Sequence, residues 1–129
     1  MLYTSVRGRP RGNSFELWSW LFMRLSGVVL LLMVLLHFAI MHLFTPIELI
    51  NYAFVAARWS NPFWRVYDLV LLNLALVHGM NGLRIVADDY VHSRPARLVA
   101  MTIIYGITFL FLILGIDVIF AFQPSPRMQ

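Results

Sequence analysis

The chain has 129 residues, of which 60% are hydrophobic and only 12% charged, where soluble domains carry about 25% charged residues. A mean hydropathy of +0.76 excludes an ordinary water-soluble domain, and the lack of cysteine excludes disulfides, thiolate chemistry and cysteine-held iron–sulfur clusters within this chain. The net charge of +4 comes from arginines scattered between apolar runs, a distribution that fits a phospholipid surface rather than a nucleic acid.

Residues 1–13 alternate Arg7, Arg9 and Arg11 with glycine and proline, the composition of a basic tail. Asn13 or Ser14 is placed to cap a helix, and Glu16 falls in its first turn, where the helix dipole favours an acid. The apolar run that follows is too long for a signal peptide and has no small-residue cleavage site behind it, so it reads as a retained first span over residues 17–44. From Leu25 to Phe44 it holds neither charge nor proline, matching the roughly 20 residues a span needs. Trp18 and Trp20 sit where an interfacial aromatic belt is expected. Arg24 lies just inside, where it snorkels or meets an anionic group. Ser26, Leu30, Met33, His37, Met41 and Phe44 form one stripe at helical spacing, with His42 off it.

Residues 45–62 form the first loop, and their partly amphipathic part, 47–59, predicts a short interfacial helix. A second span covers 63–87, with Trp59 and Trp64 at its start and His78 well inside. The second loop, 88–97, holds His92, Arg94 and Pro95. A third span covers 97–122 and is free of charge from Leu98 to Ile116, before Pro124 and Pro126. The expected fold is therefore an all-α membrane protein of three transmembrane helices, with residues 1–129 as one anchor domain. The arginines of the tail, with Arg94 and Arg97, outweigh Arg58, Arg65 and Arg127, which places the N-terminus in the cytoplasm. So small a bundle leaves a face of each helix in lipid, and its polar stripes imply a partner subunit.

The chemistry concentrates in residues 78–90, His-Gly-Met-Asn-Gly-Leu-Arg-Ile-Val-Ala-Asp-Asp-Tyr. On a helix His78 and Asp89 lie within roughly 20° of one another and about 16 Å apart along the axis. Gly82 is on nearly the same face, and its missing Cβ lets a flat group approach the backbone. A histidine in a membrane is costly unless paired, so His78 reads either as a donor to a neighbouring carbonyl or as an axial haem ligand. His37, in a stripe of Met and Leu, reads as core packing or as a ligand at a somewhat different depth. His42 and His92 read as solvated interfacial side chains. Asp88 and Asp89 oppose a helix dipole, which points to an arginine-paired or functional role for one of them.

The spacing of His78, Gly82, Arg84, Asp89 and Tyr90, with Arg24-Leu25-Ser26-Gly27 and the three-span layout, resembles the membrane-anchor subunits of succinate dehydrogenase. The resemblance covers nearly the whole chain. It implies two three-span anchors holding b-type haem between them, with an iron–sulfur subunit and a flavoprotein docked on the cytoplasmic side of the inner (cytoplasmic) membrane. Succinate is then oxidised in those partner subunits, and electrons reach a quinone, ubiquinone or menaquinone, in the bilayer. Carried onto this chain, His78, Gly82 and Arg84 are haem-binding, with His78 on the iron and Arg84 or Arg24 on the propionates. His37 departs from a one-haem pattern and resembles the branch with two stacked haems, each anchor giving one ligand to each. Tyr90 and Asp89, with Ser26 and Arg24, are the implied quinone site. Of the two anchors, Asp89-Tyr90 marks the hydrophobic one that pairs with the cytochrome b anchor, although the arginine–serine–glycine motif and the His78 spacing also occur in the cytochrome b anchor itself. A fumarate reductase anchor and a haem-free structural anchor are the alternatives. A proton relay through Arg24, His37, His78 and Asp89 is a third, which the bulky Leu and Phe around His37 speak against.

Overall fold

The computed structural model describes residues 14–122. The arginine tail, the Asn13 cap, Pro124, Pro126 and Arg127 lie outside the described residues. Helix α1 (Ser14–Phe38) runs on through a π-helical turn, Ala39–Leu43, closed by the Phe44 N–H on the Ala39 carbonyl at 2.9 Å. Then come a 3₁₀ turn (Ile47–Leu49), α2 (Tyr52–Trp59), α3 (Pro62–Tyr90) and α4 (Arg94–Ala121). Three of these helices are long and apolar enough to cross a membrane: α1 with its π turn, α3 and α4. Among the described residues there is no strand.

Local chemistry sets the helix ends. Asn51 caps α2 by accepting from the Phe54 N–H at 3.1 Å, which splits the predicted 47–59 segment into two pieces. Asn61 caps α3 through the Phe63 N–H at 2.9 Å, and Pro62 follows, where a missing N–H costs nothing. Ser93 caps α4. At its far end α3 continues to Tyr90, so Asp88, Asp89 and Tyr90 form a last turn instead of opening a loop. The acids oppose the dipole there. Asp88 offsets this by pairing with Arg84 at 3.7 Å and Arg97 at 3.4 Å.

Helix α3 is central, with α1 and α4 packed against it and α2 laid on its first half. At Gly115 helix α4 comes so close that a Cβ would collide with the Leu72 side chain. Positions on the α1 stripe meet α3 and α2 at Met33 and Met41. Tyr67 donates to the Met33 carbonyl at 2.5 Å, and Arg58 reaches the Met41 sulfur at 3.1 Å. What is buried is largely polar, Ser19, Ser26 and Asn81, alongside Ala56 and Ile119. Leu31, Leu32, Phe109 and many other large apolar side chains lie on the surface. Polar contacts inside and apolar faces outside suit hydrocarbon as solvent, where an unpaired polar group has no water to turn to.

Candidate functional site

His78 reaches from α3 to α1, where its Nδ1 lies 2.7 Å from the Ser26 oxygen. The Ser26 hydroxyl donates its hydrogen to the Phe22 carbonyl at 2.5 Å. It therefore meets the imidazole as an acceptor, so the ring bonds through Nδ1–H and Nε2 is the nitrogen turned away from Ser26. Ser26 is only 4% exposed, so the contact is shielded. Gly27 brings the α1 backbone alongside, with a notional Cβ 3.6 Å from the His78 Cε1. An imidazole held through Nδ1–H is oriented to ligate iron through Nε2, so the donor set fits haem. Beside it, the open side of Gly82 faces the end of Met23, 3.5 Å from where a Cβ would stand. The expected slot thus meets a flexible side chain of α1.

His37 occupies a second polar node, near the α2 end of the bundle. Its Nδ1 lies 3.4 Å from Asp68 Oδ1. Asp68 accepts from Arg58 Nη2 at 2.9 Å and from the Trp59 indole at 2.8 Å. His37, Trp59 and Asp68 line a groove of about 530 Å³ whose other walls are apolar residues of α3 and α4, among them Leu76, Phe111 and Ile119. Two routes give the separation of the nodes: eleven residues of α1 from Ser26 to His37, and ten of α3 from Asp68 to His78. At about 1.5 Å per residue these give roughly 15–17 Å, so the two histidines stand at clearly different depths.

The remaining candidates divide between the Tyr90 end and the His78 level. Tyr90 is 80% exposed and Asp89 is exposed; among the described residues neither has a hydrogen bond or ion pair. Ser26 is bound to His78, twelve residues and about 18 Å along α3 from Tyr90, so the structure groups it with the imidazole and not with the phenol. Arg84 is committed within the chain. It donates to Asn81 at 3.2 Å and Ser19 at 3.4 Å and pairs with Glu16 at 3.8 Å as well as with Asp88. Ser19 and Asn81 bond each other at 3.1 and 2.8 Å. Arg24 stacks on Trp20 at 4.0 Å and is otherwise exposed, which leaves its N–H groups open to an anion. His42 is exposed against Phe38 at 5.0 Å, and His92 is exposed in the turn before α4.

Sequence reading gave no site role to Asp68, Arg58, Trp59, Ser19 or Asn81. The available signal was a lone acid, Asp68, within an apolar run, since an ionisable group at membrane depth needs a partner.

A family model described as succinate dehydrogenase/fumarate reductase transmembrane subunit matches residues 7–115. The chain is 28% identical over 89 residues to the succinate dehydrogenase hydrophobic membrane anchor subunit of Thermoplasma acidophilum, covering 67% of this chain and 72% of that one. It is 35% identical over 72 residues to the protein of the same description from Archaeoglobus fulgidus, covering 55% of this chain and 60% of that one.

Proposed function

We propose that this chain, which belongs to the succinate dehydrogenase/fumarate reductase transmembrane subunit family, holds b-type haem together with a second anchor and forms part of a quinone-reduction site. It is a membrane anchor subunit of that oxidoreductase and a multi-pass membrane protein. In our reading a flavoprotein and an iron–sulfur subunit carry the succinate chemistry. The Asp89-Tyr90 pair favours the place of the hydrophobic anchor, with the cytochrome b anchor as its partner. The N-terminus and the turn between α3 and α4 face the cytoplasm in an inner membrane.

The observation that carries the haem assignment is the hydrogen-bond chain from Phe22 O through Ser26 to His78 Nδ1. It orients the ring through Nδ1 and turns the Nε2 edge away from Ser26. Bound there, haem supplies a one-electron carrier within the bilayer. His78 would hold the iron through a ring nitrogen, together with a ligand from the partner anchor. Arg24, with its guanidinium uncommitted, pairs with a propionate. His37 serves in the same way for a second haem, its Nδ1 turned to Asp68. At the Tyr90 end the phenol donates a hydrogen bond to a quinone carbonyl, and Asp89 beside it passes protons from water.

The test is haem content per flavin in the purified complex. His78→Ala should remove one b-type signal and His37→Ala another. Ser26→Ala should weaken haem retention at His78 about 10–100-fold, the usual effect of losing a partner that orients a ligand. Unchanged haem content in His78→Ala would overturn the assignment, and a complex with no b-type α-band at all would make the chain a structural anchor.

A further inference from the structure

We propose that Asp68 is a positioning residue for His37: gripped by Arg58 and Trp59, its carboxylate accepts a hydrogen bond from Nδ1–H and so presents Nε2 to the groove as the ligand nitrogen. This rests on the reading of His37 as a haem ligand and names what sets that ligand's strength.

Each carboxylate oxygen of Asp68 has one strong donor, Arg58 on Oδ1 at 2.9 Å and Trp59 on Oδ2 at 2.8 Å. The side chains of Arg58 and Asp68 are only 8% and 13% exposed, so the acid carries its compensating charge with it. Oδ1 keeps a second lone pair, and His37 Nδ1 is 3.4 Å away. Nδ1 is buried and has no hydrogen-bond partner, although the side chain as a whole is 37% exposed. The open edge of the ring is therefore not the Nδ1 edge. Ligation through Nε2 places the proton on Nδ1. A buried N–H needs an acceptor, and Asp68 is the one within reach; closing a few tenths of an ångström makes the bond. A carboxylate on the far nitrogen makes an imidazole a more basic ligand and favours the ferric state. Trp59 and Arg58 draw charge from the same carboxylate and moderate that effect.

The experiment is a redox titration of the haem α-bands of the assembled complex, with electron paramagnetic resonance of the low-spin ferric haems. Asp68→Asn should raise the midpoint potential of the haem lost in His37→Ala and move its resonance, leaving the haem of His78 unchanged. Trp59→Phe removes a donor from Oδ2, keeps the acid and its arginine, and should lower the same midpoint. If Asp68→Asn fails to assemble, Trp59→Phe alone decides. Retention of every haem in His37→Ala would end the ligand reading and the inference with it. Loss of one haem in His37→Ala, with midpoint and resonance unmoved in both other variants, would overturn the inference alone and leave Asp68 as a tie between α2 and α3.

Discussion

Ser26 and Asp68 do the same job in different surroundings: each stands behind the Nδ1 of a histidine that reaches between helices. A neutral hydroxyl suffices behind His78, where the neighbours are backbone carbonyl and apolar side chains. Behind His37 a carboxylate is possible because Arg58 balances its charge. Tyr90 has no such support within the described residues. Its hydroxyl is uncommitted, as a donor to an incoming carbonyl must be, and Tyr90→Phe removes that hydrogen while keeping the ring. In an assembled complex quinone reduction should then fall about 10²–10⁴-fold, the usual range for a proton-transferring group. Succinate oxidation measured with an artificial dye acceptor should persist; equal retention of both activities would leave Tyr90 as an interfacial anchor. His78 and Tyr90 were candidates from the sequence, and the structure puts the first against Ser26 and the second on the surface. The company of Ser26 was not legible in the sequence, since depth alone places it as well with the quinone residues as with the imidazole, and only the pairing of α1 with α3 decides.

Between elements, Gly115 of α4 faces Leu72 of α3 with no room for a Cβ. Gly115→Ala forces the leucine or the helix to shift and should cost about 1–3 kcal/mol, read as a lower unfolding temperature in detergent. Gly106→Ala in the same helix meets nothing within 4 Å and is the control. It should leave the midpoint unchanged or raise it, as alanine replaces glycine in a helix interior. A midpoint in Gly115→Ala no lower than in Gly106→Ala would show that the contact does not limit packing. The three long helices were legible because apolar runs of span length leave little else to be. The pairings that fasten them were not. Asp68 had no role in the sequence reading, and its partners Arg58 and Trp59, at the end of the predicted 47–59 helix, meet it only once α2 folds back onto α3.

As a whole, the molecule carries its apolar surface outward and closes polar links within. Orientation is then a matter of which end carries the loops. The α3–α4 turn around His92 and the segment from Thr45 to Asn51 lie at opposite ends of the spans. An accessibility tag in the first should read as cytoplasmic and one in the second as external in sealed vesicles. The reverse result would invert the placement of Tyr90 and with it the side from which protons reach the quinone.

The central helix is also the least apolar of the three spans. It carries Asp68, His78, Asn81 and Arg84, and its binding partners on the first span, Ser19, Ser26 and His37, leave the ribosome before it does. During biogenesis α3 thus enters a bilayer that already holds its complement, and the polar groups that burden it alone become reasons for it to stay. Insertion should accordingly be a property of the pair. In a translocation assay α3 in isolation should insert less completely than behind α1, and replacing Ser19 and Ser26 by leucine should remove the advantage. Equal insertion with and without α1 would mean that the helix crosses on its own hydrophobicity and finds its partner afterwards.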